Sequence, residues 1–479
     1  MKTINFTLIF IFMTVTFSFS QNCDCNSNFE WMKKTFEEND AGFQYIINKK
    51  GQSAYNLHNK LMLEKIRNAK NSDECSRLLS EWLMFFRSGH IGIEHIIDET
   101  SSSQTTAMYE TWSGNIQKFE EYIKIKKEAD FEGVWETDPY KIGIKREGTN
   151  YIGFIIESGV DSWKPCMVKL KIEQDGNTLK STFYMQNHLP VKNENTELLG
   201  KNYLLIGQWL LLKRLSPVFP EYQPVIENYN KIMNASEPYL EELNATTLYL
   251  RIPSFRKELR FSIDSVIDAN RNRILKTKNL IIDLRNNGGG SDEQWENLIP
   301  FLYTNPIRRM GTEFLSTKLN NQFWLNALTT PNKYITESER ERYENFYDSL
   351  QSKVGEFVKL DDKDFFIATQ NSVYEYPKNV GIIMNKNCAS ATEGFLFEAK
   401  QSKKVKLFGT STSGMFDISN VITAESPDKE FRLYYGMSRN LGISDFSIDD
   451  IGFQPDFYID KTIPQYKWVE FVNEILNEQ

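Results

Sequence analysis

The run Asn279-Leu-Ile-Ile-Asp-Leu284 is apolar and rich in β-branched residues, and it stops against a block of three glycines, Gly288–Gly290. An uninterrupted run of this kind reads as a strand buried on both faces, which needs helices on either side of its sheet. The rest of the C-terminal half supplies them. From Thr246 onward, strands alternate with helices: strands at Thr247–Arg251, Val380–Met384 and Lys404–Phe408, helices at Phe261–Leu275, Asp292–Tyr303 and Ala391–Ser402. The expected architecture is an α/β layer over residues 246–479. The highly charged helix expected at Glu337–Val354 reads as an exposed face or lid.

A chain of 479 residues has room for about three domains. Residues 21–130 read as a helical region, with apolar residues three and four apart in Phe29–Glu38, Ala54–Ala69 and Asp73–Phe86 and a further amphipathic stretch at Asn115–Asp130. Thr100–Thr106 reads as a loop. Residues 131–245 change character. Gly133–Trp135, Tyr140–Arg146, Tyr151–Ile156, Met167–Gln174, Thr178–Met185 and Asn202–Leu212 alternate like strands between Gly, Asn and Asp turns, which predicts an antiparallel meander or small barrel.

Met1–Ser20 has a charged Lys2, a short apolar run from Ile4 to Phe17 and small residues at Ser18 and Ser20. That is the pattern of a cleavable signal peptide, too short for a membrane span, and it predicts a secreted or periplasmic protein. Export permits disulfides. Of the five cysteines, Cys23 or Cys25 could pair with Cys75, which leaves the other of these two, Cys166 and Cys388. The formal charge is −8, and losing Lys2 makes the mature chain one charge more acidic. Nucleic acid is excluded as a partner on that ground, because phosphate binding needs a basic surface. No second Cys or His pair with zinc spacing accompanies the Cys23-x-Cys25 pair, so neither a metal nor an organic cofactor is expected.

Two strand–loop–helix joints carry the chemistry, since ligands collect at such joints in α/β domains. The first ends in the glycine block, whose missing Cβ atoms let backbone amides point into a cavity and hold negative charge. It lacks the spacing of a P-loop or a dinucleotide-binding loop. The second runs from Val380 through Asn385-Lys-Asn-Cys-Ala-Ser390 into a helix, with Ser390 at the helix start. Ser390-x-x-Glu393 is also a capping box, a purely structural device.

Together these joints resemble the C-terminal processing (tail-specific) serine peptidase family. Asp283-Leu-Arg285 with Asn287 and Gly289-Gly290 is similar to its strand-then-double-glycine motif. Asn385 to Glu393 is similar to its nucleophile motif, Gly409 to Gly414 to the Gly-x-x-Thr-x-Gly stretch that follows, and Gly452-Phe-Gln-Pro-Asp456 to its C-terminal Gly-x-x-Pro-Asp. The resemblance implies a crotonase-like (ClpP-like) α/β core and a peptide or protein substrate. It makes Ser390 the nucleophile and assigns the oxyanion hole to the amides of Ala391 and of Gly289 or Gly290, with Glu393, Asp283, Arg285 and Asn287 in support. An acyl-transfer site needs such a pairing of an activated hydroxyl with amides aimed at the developing oxyanion.

The sequence departs from the Ser/Lys members of the family. Where they carry the lysine, this chain has Met415, which cannot take a proton, and Lys403, Lys404 and Lys406 read as solvated. A second, tricorn-core-like branch resembles this chain in its Ser88-Gly-His90-Ile-Gly92 segment, which implies His90 as the base. The acid three residues before Gly452, Asp449, is then the orienter, with Asp450 the adjacent choice. His95 falls on the opposite face of an extended segment from His90, while His58 and His188 carry no motif. No carboxylate-binding loop of the PDZ type is present, so tail specificity is not assumed. The expected function is an exported serine peptidase. The alternatives are a non-catalytic relative that binds hydrophobic ligands and an esterase-type acyl hydrolase.

Overall fold

In the computed structural model, which describes residues 24–96, 109–175, 178–221, 223–330, 337–359, 361, 363–443 and 445–478, the run before the glycines forms the strand Asn279–Asp283, with all five residues buried. It lies inside a six-stranded sheet ordered Tyr239–Asn244, Thr247–Arg251, Asn279–Asp283, Asn379–Met384, Val405–Gly409 and Phe457–Tyr458. The first pair is antiparallel and the other pairs are parallel. Helices Arg260–Ile274 and Ala391–Ala399 cover one face through Ile263, Ile267 and Leu396. Helix Trp468–Glu478 covers the other through Trp468, Val472 and Leu476. The single helix expected at Asp292–Tyr303 is instead a 3-10 turn, Asp292–Trp295, followed by a short helix, Ile299–Leu302. Pro300 sits in the first turn of the second piece, where its missing N–H is harmless, whereas inside a continuous helix it would break the ladder.

A second sheet, of five antiparallel strands, ties the N-terminal region to the C-terminal half. Its path is Gly92–His95, Phe431–Asn440, Thr312–Leu315 and Phe357–Lys359, and Ile418–Glu425 pairs with the other edge of Phe431–Asn440. Helices Cys25–Asn39, Phe43–Lys50, Gln52–Ile66 and Ser72–Leu83 accompany it. Phe29, Phe36, Trp82 and Phe86 share one core with Leu433, Tyr435 and Met437 of the sheet. Cys25 pairs with Cys75 across this bundle, while Cys166 and Cys388 are free thiols. Cys23 and the loop expected at Thr100–Thr106 lie outside the described residues. The charged helix Glu337–Ser352 is not a lid: Phe346 and Leu350 are buried in the same core, against Phe314 and Trp324.

The β-rich segment forms a nine-stranded antiparallel sheet. Its two end strands, Pro190–Asn193 and Thr196–Leu199, are consecutive in the chain, and Thr196 Oγ1 donates to Ser181 Oγ at 2.7 Å, so the sheet curls back toward itself. The single strand expected over Asn202–Leu212 is a hairpin, Tyr203–Ile206 and Leu210–Ser216. Gly207 makes the turn at a φ of 60°, a conformation that costs glycine little.

Candidate active site

Both chemical joints end neighbouring parallel strands, Asn279–Asp283 and Asn379–Met384, so the sheet delivers them side by side. Asn287 then stitches them together. Its backbone carbonyl accepts from Ala389 N (3.2 Å) and Thr392 Oγ1 (2.9 Å), and its Oδ1 accepts from Gly289 N (3.0 Å). Asn385 Nδ2 and Asn286 Oδ1 make a second tie at 2.8 Å. Gly289 has a φ of 97° and lies so close that a Cβ there would sit 2.8 Å from Ala391 N and 2.9 Å from Ser390 Cβ. Asp283 and Arg285 are a fully buried ion pair beneath the loop, with Nη2–Oδ2 at 2.6 Å and Arg285 Nη1 donating to the carbonyl of Gln465 at 2.6 Å. Arg285 and Arg251 beside the carboxylate hold the Asp283 pKa below the ordinary range despite its burial. These two residues brace the loop and do not face the hydroxyl.

Ser390 precedes helix Ala391–Ala399 with φ 57° and ψ −124°, a strained conformation of the kind that aims a nucleophile out of a strand-to-helix turn. Glu393, wholly buried, holds that turn: its Oε2 accepts from Ser390 N (3.0 Å) and Met415 N (2.8 Å), and its Oε1 from Thr412 Oγ1 (2.5 Å) and Gly414 N (2.8 Å). The Ser390-to-Glu393 spacing therefore anchors the following loop as well as the helix. The N–H groups of Ala391 and Gly290 make no hydrogen bond among the described residues, while that of Gly289 is taken by Asn287.

The structure brings His90, 300 residues away, to this point: its Nε2 lies 3.1 Å from Ser390 Oγ. His90 Nδ1 meets the backbone carbonyl of Ile418, at the start of strand Ile418–Glu425. A carbonyl only accepts, so Nδ1 carries the proton and Nε2 presents its lone pair to the serine hydroxyl. Burial pushes the His90 pKa below the ordinary 6.5, which favours this neutral form.

Asp449 does not touch the imidazole. Its Oδ1 accepts from Phe416 N and Asp417 N, both at 2.7 Å, fixing the two residues that lead into Ile418. Burial and the neighbouring Asp417 carboxylate raise its pKa to about 7. Asp450 Oδ1 accepts from Ser88 N at 2.9 Å and so fixes the other flank of His90. Met415 packs against Gly89, where a Cβ would fall 2.2 Å from Met415 Cγ. Lys404 is half-buried rather than solvated, and its Nζ reaches the carbonyl of Tyr374, not the serine. His95 turns to Glu430 at 3.9 Å.

Sequence reasoning missed the pair that seats His90. Arg87 and Asp40 form a buried, two-pronged ion pair, with Nη1–Oδ1 at 2.8 Å and Nη2–Oδ2 at 2.5 Å. Arg87 Nε also donates to the carbonyl of Gly89 at 3.0 Å and Nη2 to that of His90 at 3.2 Å. The available signal was an arginine immediately before Ser88-Gly-His90.

This fold and site belong to a serine-type peptidase. Residues 246–459, a little under half of the chain, match the model of peptidase family S41, and this match supports a place among the C-terminal processing serine peptidases. Among solved structures, mature CPAF superposes with a TM-score of 0.52 at 12% identity, covering 94% of this chain and 96% of that one. The complex of mature CPAF with lactacystin gives 0.51 at 11%, covering 95% and 98%. The photosystem II D1 C-terminal processing protease gives 0.40 at 12%, covering 95% and 97%. No curated protein sequence matches significantly.

Proposed function

We propose that the chain hydrolyses peptide bonds through an acyl-enzyme on Ser390, with His90 as the base, on a crotonase-like core. His90 Nε2 takes the hydroxyl proton as Ser390 Oγ bonds to the carbonyl carbon. The oxyanion is held by the free amides of Ala391 and Gly290. The C–N bond then breaks, and the leaving amine receives the proton from His90. A water gives its proton to the same nitrogen as it attacks the acyl-enzyme, and Ser390 is regenerated. The observation that carries this reading is the His90–Ser390 hydrogen bond made by an imidazole whose other nitrogen is committed to the Ile418 carbonyl. The same contact weighs against a purely ligand-binding relative.

The orienter in this reading is a backbone carbonyl, and Asp449 acts through the loop it holds. Asp449→Asn keeps an Oδ1 able to accept from Phe416 N and Asp417 N, so kcat is expected to fall by less than about tenfold. Where an aspartate itself fixes the imidazole, the same change costs about 10⁴-fold. A loss of that larger size in steady-state peptidase assays would assign the orienting role to Asp449.

The pH profile follows from the burial of His90. The neutral imidazole is the active form and its pKa lies below 6.5, so the acid limb of kcat/KM is expected to have its midpoint below pH 6.5. A midpoint above that value would contradict the assignment.

Export is part of the same proposal. The leader-like Met1–Ser20 and the Cys25–Cys75 disulfide both suit an oxidising compartment. No helix of the described residues is long and apolar enough to cross a membrane.

A further inference from the structure

The strand whose first carbonyl orients His90 has only one partner. Ile418–Glu425 pairs with Phe431–Asn440, and its other edge is unpaired among the described residues. The opposite strand fixes which of its main-chain groups point outward. Gly436 turns its carbonyl to Ala41 N (2.9 Å) and its N–H to Asp40 Oδ2 (3.2 Å), away from the Ile418–Glu425 strand. Its cross-strand partner Val421 therefore points its own N–H and C=O away from the sheet. By the alternation of antiparallel ladders, Thr423 and Glu425 do the same.

Beside this edge runs a groove of about 580 Å³, bounded by Val421–Glu425, by Trp31 and by Leu319 and Phe323 of helix Lys318–Thr329. Leu319, Phe323 and Val421 are large apolar side chains left 40–43% exposed. Unpaired main-chain groups next to exposed apolar side chains are what an added strand uses: its backbone bonds the edge and alternate side chains fall into the groove. Exposed edges otherwise invite aggregation, and this one carries no lysine or proline.

We propose that the Val421–Glu425 edge and its groove bind an extended segment of the substrate polypeptide as an added β-strand. This rests on the peptidase reading above. The occupant follows from continuity: the same strand begins at the Ile418 carbonyl that holds His90. Val421 lies about 10 Å and Glu425 about 23 Å along it from that point, at roughly 3.3 Å per residue. A chain cleaved at Ser390 thus has its own flanking residues within reach of the edge. Folded proteins have their backbones already paired, so the site selects unfolded or extended segments. A second copy of the chain fits poorly, because its own helix Lys318–Thr329 would have to enter the trough with its strand.

The test uses fluorescein-labelled, reduced and carboxymethylated α-lactalbumin as an unfolded probe. In the Ser390→Ala background, Thr423→Pro removes an outward N–H, and Val421→Lys blocks the edge without altering the backbone. Both are expected to weaken binding, read by anisotropy, by about tenfold. In the Ser390-containing enzyme both are expected to raise KM for the unfolded protein by a similar factor. They should leave kcat for it, and kcat/KM for a pentapeptide, unchanged. Unchanged binding in both variants would overturn the proposal. So would conversion of a dimer to a monomer by Thr423→Pro in sedimentation, since a second copy would then fill the groove. If the Ser390-containing enzyme cleaves neither substrate, the peptidase reading fails, while the binding comparison still decides the docking site.

Discussion

Ser390→Ala is expected to lower kcat for peptide hydrolysis by about 10⁴-fold or more while KM changes little. In the proposed reaction the Ser390 hydroxyl bonds to the substrate carbonyl, and His90 Nε2 lies 3.1 Å away to receive its proton. The neighbouring donors survive the change. Ala391 N, Gly290 N and the Glu393 contacts to Ser390 N, Thr412, Gly414 and Met415 involve backbone or other side chains. Substrate binding should persist, which makes this variant the right background for binding measurements. Any residual rate reports what the amides and substrate positioning contribute without a nucleophile. A loss of less than about tenfold in single-turnover assays would mean that another group attacks the carbonyl.

The second large effect concerns the buried Arg87–Asp40 pair. Asp40→Ala leaves the Arg87 guanidinium without its carboxylate at a site with almost no solvent access, and breaking a buried pair in this way costs about 3–5 kcal/mol. Asp40 also accepts from Gly42 N at 3.0 Å and Gly436 N at 3.2 Å, so the loss reaches the five-stranded sheet. Urea unfolding should show a midpoint shifted down with little change in m. Arg87→Lys is the sharper probe of function. A lysine cannot hold both Asp40 oxygens and the Gly89 and His90 carbonyls at once, because it lacks the planar fork. Its kcat should fall more than its stability predicts, with KM nearly constant, as the imidazole loses its seat. Equal kcat in folded Arg87→Lys and wild type would separate this pair from the positioning of His90.

How much of this was legible in the sequence follows from the range of each interaction. The apolar run at 279–284 and the glycine block announce a buried strand and a tight joint because both signals are local. Ser390 and Glu393 are three residues apart, and their linkage through one helical turn is local as well. The proximity of His90 to Ser390 is a different matter: 300 positions separate them, and only the resemblance of Ser88-Gly-His90 to a family segment hinted at it. The Ile418 carbonyl was invisible because a backbone group leaves no trace in residue identity. Asp449 drew attention by its place before Gly452, yet its carboxylate spends its hydrogen bonds on Phe416 and Asp417. The sheet shared by Gly92–His95 and Phe431–Asn440 joins segments that looked separate, since pairing register depends on contacts no local window contains. The helix Glu337–Ser352 reads as an exposed face because its charges outnumber the apolar residues that hold it down, buried Phe346 and Leu350 with Tyr343 and Tyr347 packed beside them.

If Ser390 is a nucleophile activated by His90, it reacts covalently with an electrophilic phosphorus probe. The wild-type protein, treated with a fluorophosphonate and digested for mass spectrometry, should carry one phosphonyl adduct, on the peptide containing Ser390. Labelling should disappear in Ser390→Ala and slow by orders of magnitude in His90→Ala, with Asp449→Asn close to wild type. Absence of any adduct on the folded wild-type protein, or undiminished labelling of Ser390 in His90→Ala, would contradict this assignment.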